Sequence, residues 1–199
     1  MKLPLIALAA LMFPAVTHAA DCSCNAKSAK MVNTPAPEGC GDRLSYNYFE
    51  TGFIQSRFNG SDTANGGYAE FAHDLNKNFF LDGSFTFLED GTDSQEYAIG
   101  VGAHLPLTKK IDLVGRVGYS YLDAGAGFNQ VYTSVGFRAQ VTCLIELYGK
   151  LYYTHNRDSD DISGGGGIIW HLTDHVGLNT GAAWGREGWT WQAGVRYQW

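Results

Sequence analysis

From Leu44 to the C-terminus, apolar and polar or small residues alternate with a period of two, and the pattern restarts about ten times. Such alternation is the mark of strands with one face in an apolar medium. In "VYTSVGFRAQV", Val131, Val135, Phe137 and Val141 share a face opposite Tyr132, Ser134, Arg138 and Gln140. "IELYGKLYY" sorts Ile145, Leu147 and Leu151 against Glu146, Tyr148 and Lys150. "WTWQAGVRYQW" places Trp189, Trp191, Val195, Tyr197 and Trp199 on one side, with Gln192, Gly194 and Arg196 on the other. The spacing predicts strands over roughly 44–58, 66–75, 78–89, 95–106, 111–122, 130–142, 145–157, 162–172, 175–186 and 189–199. The first two are the least regular. Most approach the ~9–11 residues that a tilted transmembrane strand needs.

The connections also alternate. Loops rich in Asp, Asn, Gly and Ser ("NGSDTAN", "DGTDS", "DAGAGFN", "DSDD") follow strands one, three, five and seven. Short links near "NK", "LTKK", "CL" and "TD" follow strands two, four, six and eight. Long loops at one end and tight turns at the other suit an up-and-down barrel in an outer membrane. The final hairpin, near "EG", is short although it lies on the long-loop side.

Alternation alone fits a soluble sandwich as well as a membrane barrel. The placement of aromatic residues favours the membrane. Phe85, Phe87, Tyr97, Tyr119, Tyr121, Tyr153, Trp184, Trp189 and Trp191 fall near the long-loop ends of the apolar face. Phe79, Trp170, Tyr197 and Trp199 fall near its tight-turn end. Two aromatic levels around an aliphatic band match rings that prefer the headgroup region. Charged residues are only 17% of the chain, against about 25% in soluble domains. The opposite face carries Glu70, Asp82, Glu96, Arg116, Arg138, Glu146, Lys150 and Arg196, and Glu50 is expected to join them. Toward lipid, a midplane Arg or Lys costs about 2–4 kcal/mol. Inside a barrel both signs can pair and fill the lumen. The other reading of this cluster is a charged constriction in a narrow pore.

The fold class expected is therefore all-β: an antiparallel up-and-down transmembrane barrel of about ten strands, with eight as the alternative. Residues 1–19, "MKLPLIALAALMFPAVTHA", read as a signal peptide, with Lys2 before an apolar core and small residues before the cut. The apolar run is too short for a spanning helix of about 20 residues. Residues 20–43 lack periodicity and read as a flexible periplasmic segment, which leaves 44–199 for the barrel.

Four cysteines are present, Cys22, Cys24, Cys40 and Cys143. Export favours disulfides. Cys143 falls at a predicted periplasmic turn, so a bond to the lead-in segment is expected, with Cys40 the first choice and other pairings left open. His73, His104, His171 and His175 scatter about the same rim and read as hydrogen-bonding residues, so neither a metal site nor a cofactor is expected. "HNRDSDD" places His155, Asp158, Asp160 and Asp161 at the outer rim, where a hydrolase or a calcium loop is conceivable and a solvated loop is the plainer reading. No G-x-S-x-G motif occurs, and Gly164–Gly167 precede no helix. The formal charge of −6 lacks the basic stripe that nucleic acid requires.

Gln192, Gly194, Tyr197 and Trp199 form polar-x-Gly-x-x-aromatic-x-aromatic at the last residue. This resembles the C-terminal insertion signal of Gram-negative outer-membrane proteins, with Trp in place of the commoner Phe. The resemblance implies handling by the barrel-assembly machinery. With "YNYFETGFIQSRF" and "NKNFFLDGSFTF", residues 44–199 look like the small OmpA/OmpX-like outer-membrane barrel superfamily. Its members include anchors, adhesins, enzymes and narrow pores, so the resemblance implies a cell outer-membrane location with lipid as partner and leaves any external ligand unnamed. The role expected is non-enzymatic, structural or surface-interacting. A porin-like channel for small solutes is the alternative, and an outer-rim hydrolase a further one.

Overall fold

The computed structural model describes residues 44–58, 63–89, 93–123, 125, 127–156, 160–186 and 188–199. The expected signal peptide, the lead-in segment, Cys22, Cys24, Cys40 and Asp158 lie outside the described residues. Ten strands are present: β1 (Tyr48–Phe58), β2 (Thr63–Asp74), β3 (Phe79–Glu89), β4 (Ser94–Pro106), β5 (Ile111–Asp123), β6 (Phe128–Gln140), β7 (Ile145–His155), β8 (Asp160–His171), β9 (Val176–Gly185) and β10 (Gly188–Gln198). Each pairs antiparallel with its sequence neighbours, and β1 pairs with β10 to close the barrel. Closure removes every sheet edge, as hydrocarbon demands.

Burial is inverted relative to a soluble protein. Val135 is 50% exposed, Leu151 59% and Trp184 64%, whereas Glu50 and Glu146 are at most 1% exposed. The apolar face points out and the ionised groups point in, so the surrounding medium is lipid. Phe87, Tyr97, Tyr119, Tyr121, Trp189 and Trp191 stand exposed toward the long-loop end, and Phe79, Trp170, Tyr197 and Trp199 toward the tight-turn end.

The four tight turns share one construction. Leu75, Leu107, Val141 and Leu172 each donate their backbone N–H to the carbonyl four residues on, at 2.8–2.9 Å. The next residue, Asn76, Thr108, Thr142 or Thr173, accepts backbone N–H bonds with its side-chain oxygen. Asn and Thr do this because a short polar side chain can stand in for a backbone acceptor. The turns all lie at the end where the described chain enters.

The first strand begins at Tyr48, later than the expected 44. Trp199 donates its N–H to the Asn47 carbonyl at 3.3 Å, and β10 extends no further. Residues before Asn47 therefore have no partner on β10. Leu44–Asn47 leave the wall and turn across the lumen floor. Asn47 fixes the departure: its Nδ2 donates to Asp74 Oδ2 at 3.1 Å, and its Oδ1 accepts from the Asp74 N–H at 2.8 Å. The second strand starts at Thr63, earlier than the expected 66, because its first residues find partners on β1 through Arg57↔Thr63.

Candidate functional site: the occluded lumen

Every residue of the predicted charge cluster faces the interior, but its members divide into two levels. At the lower, tight-turn end, Glu50 on β1 is fully buried. Its Oε2 accepts from Arg196 Nε at 2.7 Å, and its Oε1 accepts from the Tyr68 hydroxyl at 2.7 Å and Asn179 Nδ2 at 2.5 Å. Arg196 also lies 3.8 Å from the centroid of the Tyr48 ring. On β6 and β7, Arg138 grips Glu146 with two bonds, Nε to Oε1 at 2.5 Å and Nη2 to Oε2 at 3.0 Å. Such forked pairs are the strong ones. His171 Nε2 lies 3.5 Å from the second oxygen of Glu146.

Tyr46 plugs the floor. Its ring is fully buried, with centroids 4.8 Å from Phe80 and 4.2 Å from His104 in stacked geometry. Arg138 lies 4.5 Å from the Tyr46 centroid and also donates to the Ser45 carbonyl at 2.7 Å. The Tyr46 hydroxyl donates to Asp112 Oδ2 at 3.1 Å, and His104 Nδ1 is 3.2 Å from the same oxygen. That last approach has ion-pair distance without hydrogen-bond geometry, since His104 Nδ1 finds no bonding partner among the described residues. Loss of water raises the Tyr46 hydroxyl far above its ordinary pKa, against the pull of Arg138, so it stays a donor. Phe80 needs glycine opposite: a Cβ at Gly102 would collide with its ring.

Higher up, Glu70 accepts from the Tyr48 hydroxyl at 2.5 Å and sits 3.6 Å from Arg116 Nη1, which lies 5.4 Å from the Phe80 centroid. Glu70 and Arg116 line both the lower chamber and the upper one. They are the partition between them. Space for water-sized molecules is about 50 Å³ in the lower chamber and about 230 Å³ in the upper. The upper chamber holds Asp82 and Glu96, whose best partners are neutral: Tyr132 donates to Asp82 Oδ2 at 3.3 Å, and Gln130 to Glu96 Oε1 at 3.4 Å. Asp82 Oδ1 is buried with no partner among the described residues. Lys150, which lines the lower chamber, makes no ion pair among the described residues; its Nζ lies 4.9 Å from the Tyr152 centroid and 6.0 Å from that of Tyr148.

Of the cluster, the structure thus joins Glu50 with Arg196, Arg138 with Glu146 and Glu70 with Arg116. Asp82, Glu96 and Lys150 stand apart from these pairs. Sequence reasoning missed Tyr46, Tyr48, Tyr68, Asn179 and Asp112 as members. The available signal was parity: Tyr46, Tyr48 and Glu50 alternate on one side, as do Tyr68 and Glu70.

The other predicted residues have definite places. Gln192 and Gly194 face the lumen, where Gln192 lines the lower chamber and a Cβ at Gly194 would meet the Tyr68 hydroxyl. Tyr197 and Trp199 face lipid, their rings stacked with centroids 6.3 Å apart. Cys143 lies in the Val141–Leu144 turn, at the same end as Leu44. At the outer rim, His155 Nδ1 lies 2.5 Å from Asp160 Oδ1, which also accepts from the Tyr153 hydroxyl at 3.0 Å. Among the described residues no three His, Cys, Asp or Glu side chains converge on a metal position.

No protein-family model and no curated protein matches the chain. Solved structures that resemble it include outer-membrane barrels. A KdgM porin in complex with disordered oligogalacturonate matches at 9% identity, over 76% of this chain and 97% of that one, with a TM-score of 0.47. A NanC porin matches at 7% identity, over 76% and 100%, with a TM-score of 0.47. Ail, the attachment invasion locus protein of Yersinia pestis, matches at 14% identity, over 76% and 97%, with a TM-score of 0.37. The likeness is one of architecture, and no residue role is carried from it.

Proposed function

We propose that the protein is a closed barrel of the cell outer membrane with a structural or surface-interaction role and no enzymatic activity. The observation that carries this reading is Tyr46, wedged under the lumen between Phe80, His104 and Arg138 with its hydroxyl on Asp112. Above it, two buried Arg–carboxylate pairs fill the lower lumen. A solute would have to break these pairs to pass, leaving buried charges uncompensated. What faces outward is lipid-embedded wall and polar loops, which leaves the loops to meet any external partner. His155 and Asp160 are both highly exposed, and in this reading their contact serves the strand end.

The reading includes export by the signal peptide of residues 1–19, with residues 20–43 left in the periplasm. Insertion would follow recognition of Gln192, Gly194, Tyr197 and Trp199 by the barrel-assembly machinery. A Cys40–Cys143 disulfide would hold the lead-in segment under the barrel. Non-reducing peptide mapping of exported protein should recover that cross-linked pair, and free thiols at both positions would remove it.

A second reading, a narrow channel for small solutes, is favoured by the Glu70–Arg116 partition, whose 3.6 Å approach is not a hydrogen bond and can part. Planar-bilayer recording of the purified full chain decides between the two. The closed barrel gives no steady single-channel current, and the Tyr46→Ala variant raises it. Steady current from the wild type would sink the closed-barrel reading.

A further inference from the structure

The lower chamber has more cations than its acids can use. Arg116, Arg138, Lys150 and Arg196 line it against Glu70 and Glu146. Glu146 is taken by the fork of Arg138, while Glu70 accepts from Tyr48, meets Arg116 at ion-pair distance and shares its field with Lys150 beyond that distance. Arg196 is matched by Glu50, which is fully buried in the lumen. One charge remains, on Lys150. Among the described residues no carboxylate lies within ion-pair distance of it and no side chain accepts its hydrogen bonds; only the faces of Tyr152 and Tyr148 approach it. Ring faces compensate a desolvated ammonium only in part and leave its three N–H donors unused. The other lumen acids, Asp82 and Glu96, line the upper chamber.

We propose that the lower chamber binds one small monovalent inorganic anion, of the halide class, on Lys150 with Arg116 facing the same space. Charge sets the valence: one anion balances the one surplus cation, whereas a divalent anion would overshoot. Volume sets the size. About 50 Å³ for water-sized centres admits a halide and excludes a sugar acid. Entry runs from the upper chamber past Glu70 and Arg116, because Tyr46 closes the floor.

The test is thermal unfolding of the full-length protein in a non-ionic detergent, at one scan rate and constant ionic strength, with bromide replacing gluconate. Gluconate is too large for the chamber. The expected result is a rise in apparent Tm that saturates with bromide, by about 3–6 °C for binding well above its Kd. Lys150→Met should abolish the rise while folding in gluconate at least as well as the wild type. Crystals grown with bromide should carry an anomalous peak in the chamber, a reading independent of how any variant folds. A rise that is linear without saturation, a rise that persists in Lys150→Met, or a chamber without the peak would each overturn the site. A conducting wild-type barrel would refute the closed-lumen reading and leave this one standing.

Discussion

The two ends of the lumen handle buried charge in different ways. At the tight-turn end, Arg138 and Arg196 each meet a carboxylate directly, and neutral donors occupy much of the remaining acceptor capacity. In the wider chamber above, Asp82 and Glu96 have only long bonds from Tyr132 and Gln130. The contrast teaches that the lower lumen is built around direct charge pairs with little free space and the upper one around room for water. Removing one partner from a dry, forked pair strands the other, whereas a carboxylate beside water has an alternative.

The sharpest way to break the comparison is to unpair the lower end. Glu146→Gln leaves Arg138 without its anion and should destabilise by about 3–5 kcal/mol, measured by urea unfolding in detergent. A loss under 1 kcal/mol would mean that the floor is hydrated after all. Next is Tyr46→Ala, which empties a slot between two rings and should cost about 3 kcal/mol, at the lower end of aromatic truncations. It should also open the floor to ions, so unfolding and bilayer current must move together. If stability falls and the barrel stays closed, the ion pairs alone form the seal. Asp82→Asn, in the upper chamber, should shift stability by no more than about 1 kcal/mol in either direction. An effect as large as that of Glu146→Gln would erase the distinction between the ends. Smallest of all, His155→Ala should leave the unfolding midpoint unchanged, because the Asp160 contact stands in solvent at the rim.

Much of this architecture could be read from the residues. Parity along "VYTSVGFRAQV" and "IELYGKLYY" assigned Arg138, Glu146 and Lys150 to one face, and that face is the interior. Aromatic placement located the two ends. What parity cannot supply is height along the barrel axis, which depends on how far each strand slides against the next. Asp82 and Arg116 flank β4 opposite Gly100 and Gly102, yet Arg116 comes within ion-pair distance of Glu70 and not of Asp82. Tyr46 was hidden for another reason. "LSYNYFE" keeps its alternation through residues that are not strand, and only the length of the closing strand β10 shows where the wall stops.

The stopper also fixes an order of events. Tyr46 precedes the first strand, while the groups that hold it belong to the third through sixth strands, and its neighbour Asn47 bonds to the final residue. No open sheet can offer all of these at once. The drain is therefore shut only after the wall has curled round to meet itself, so a half-assembled barrel is a leaky one and a finished barrel seals in the act of closing.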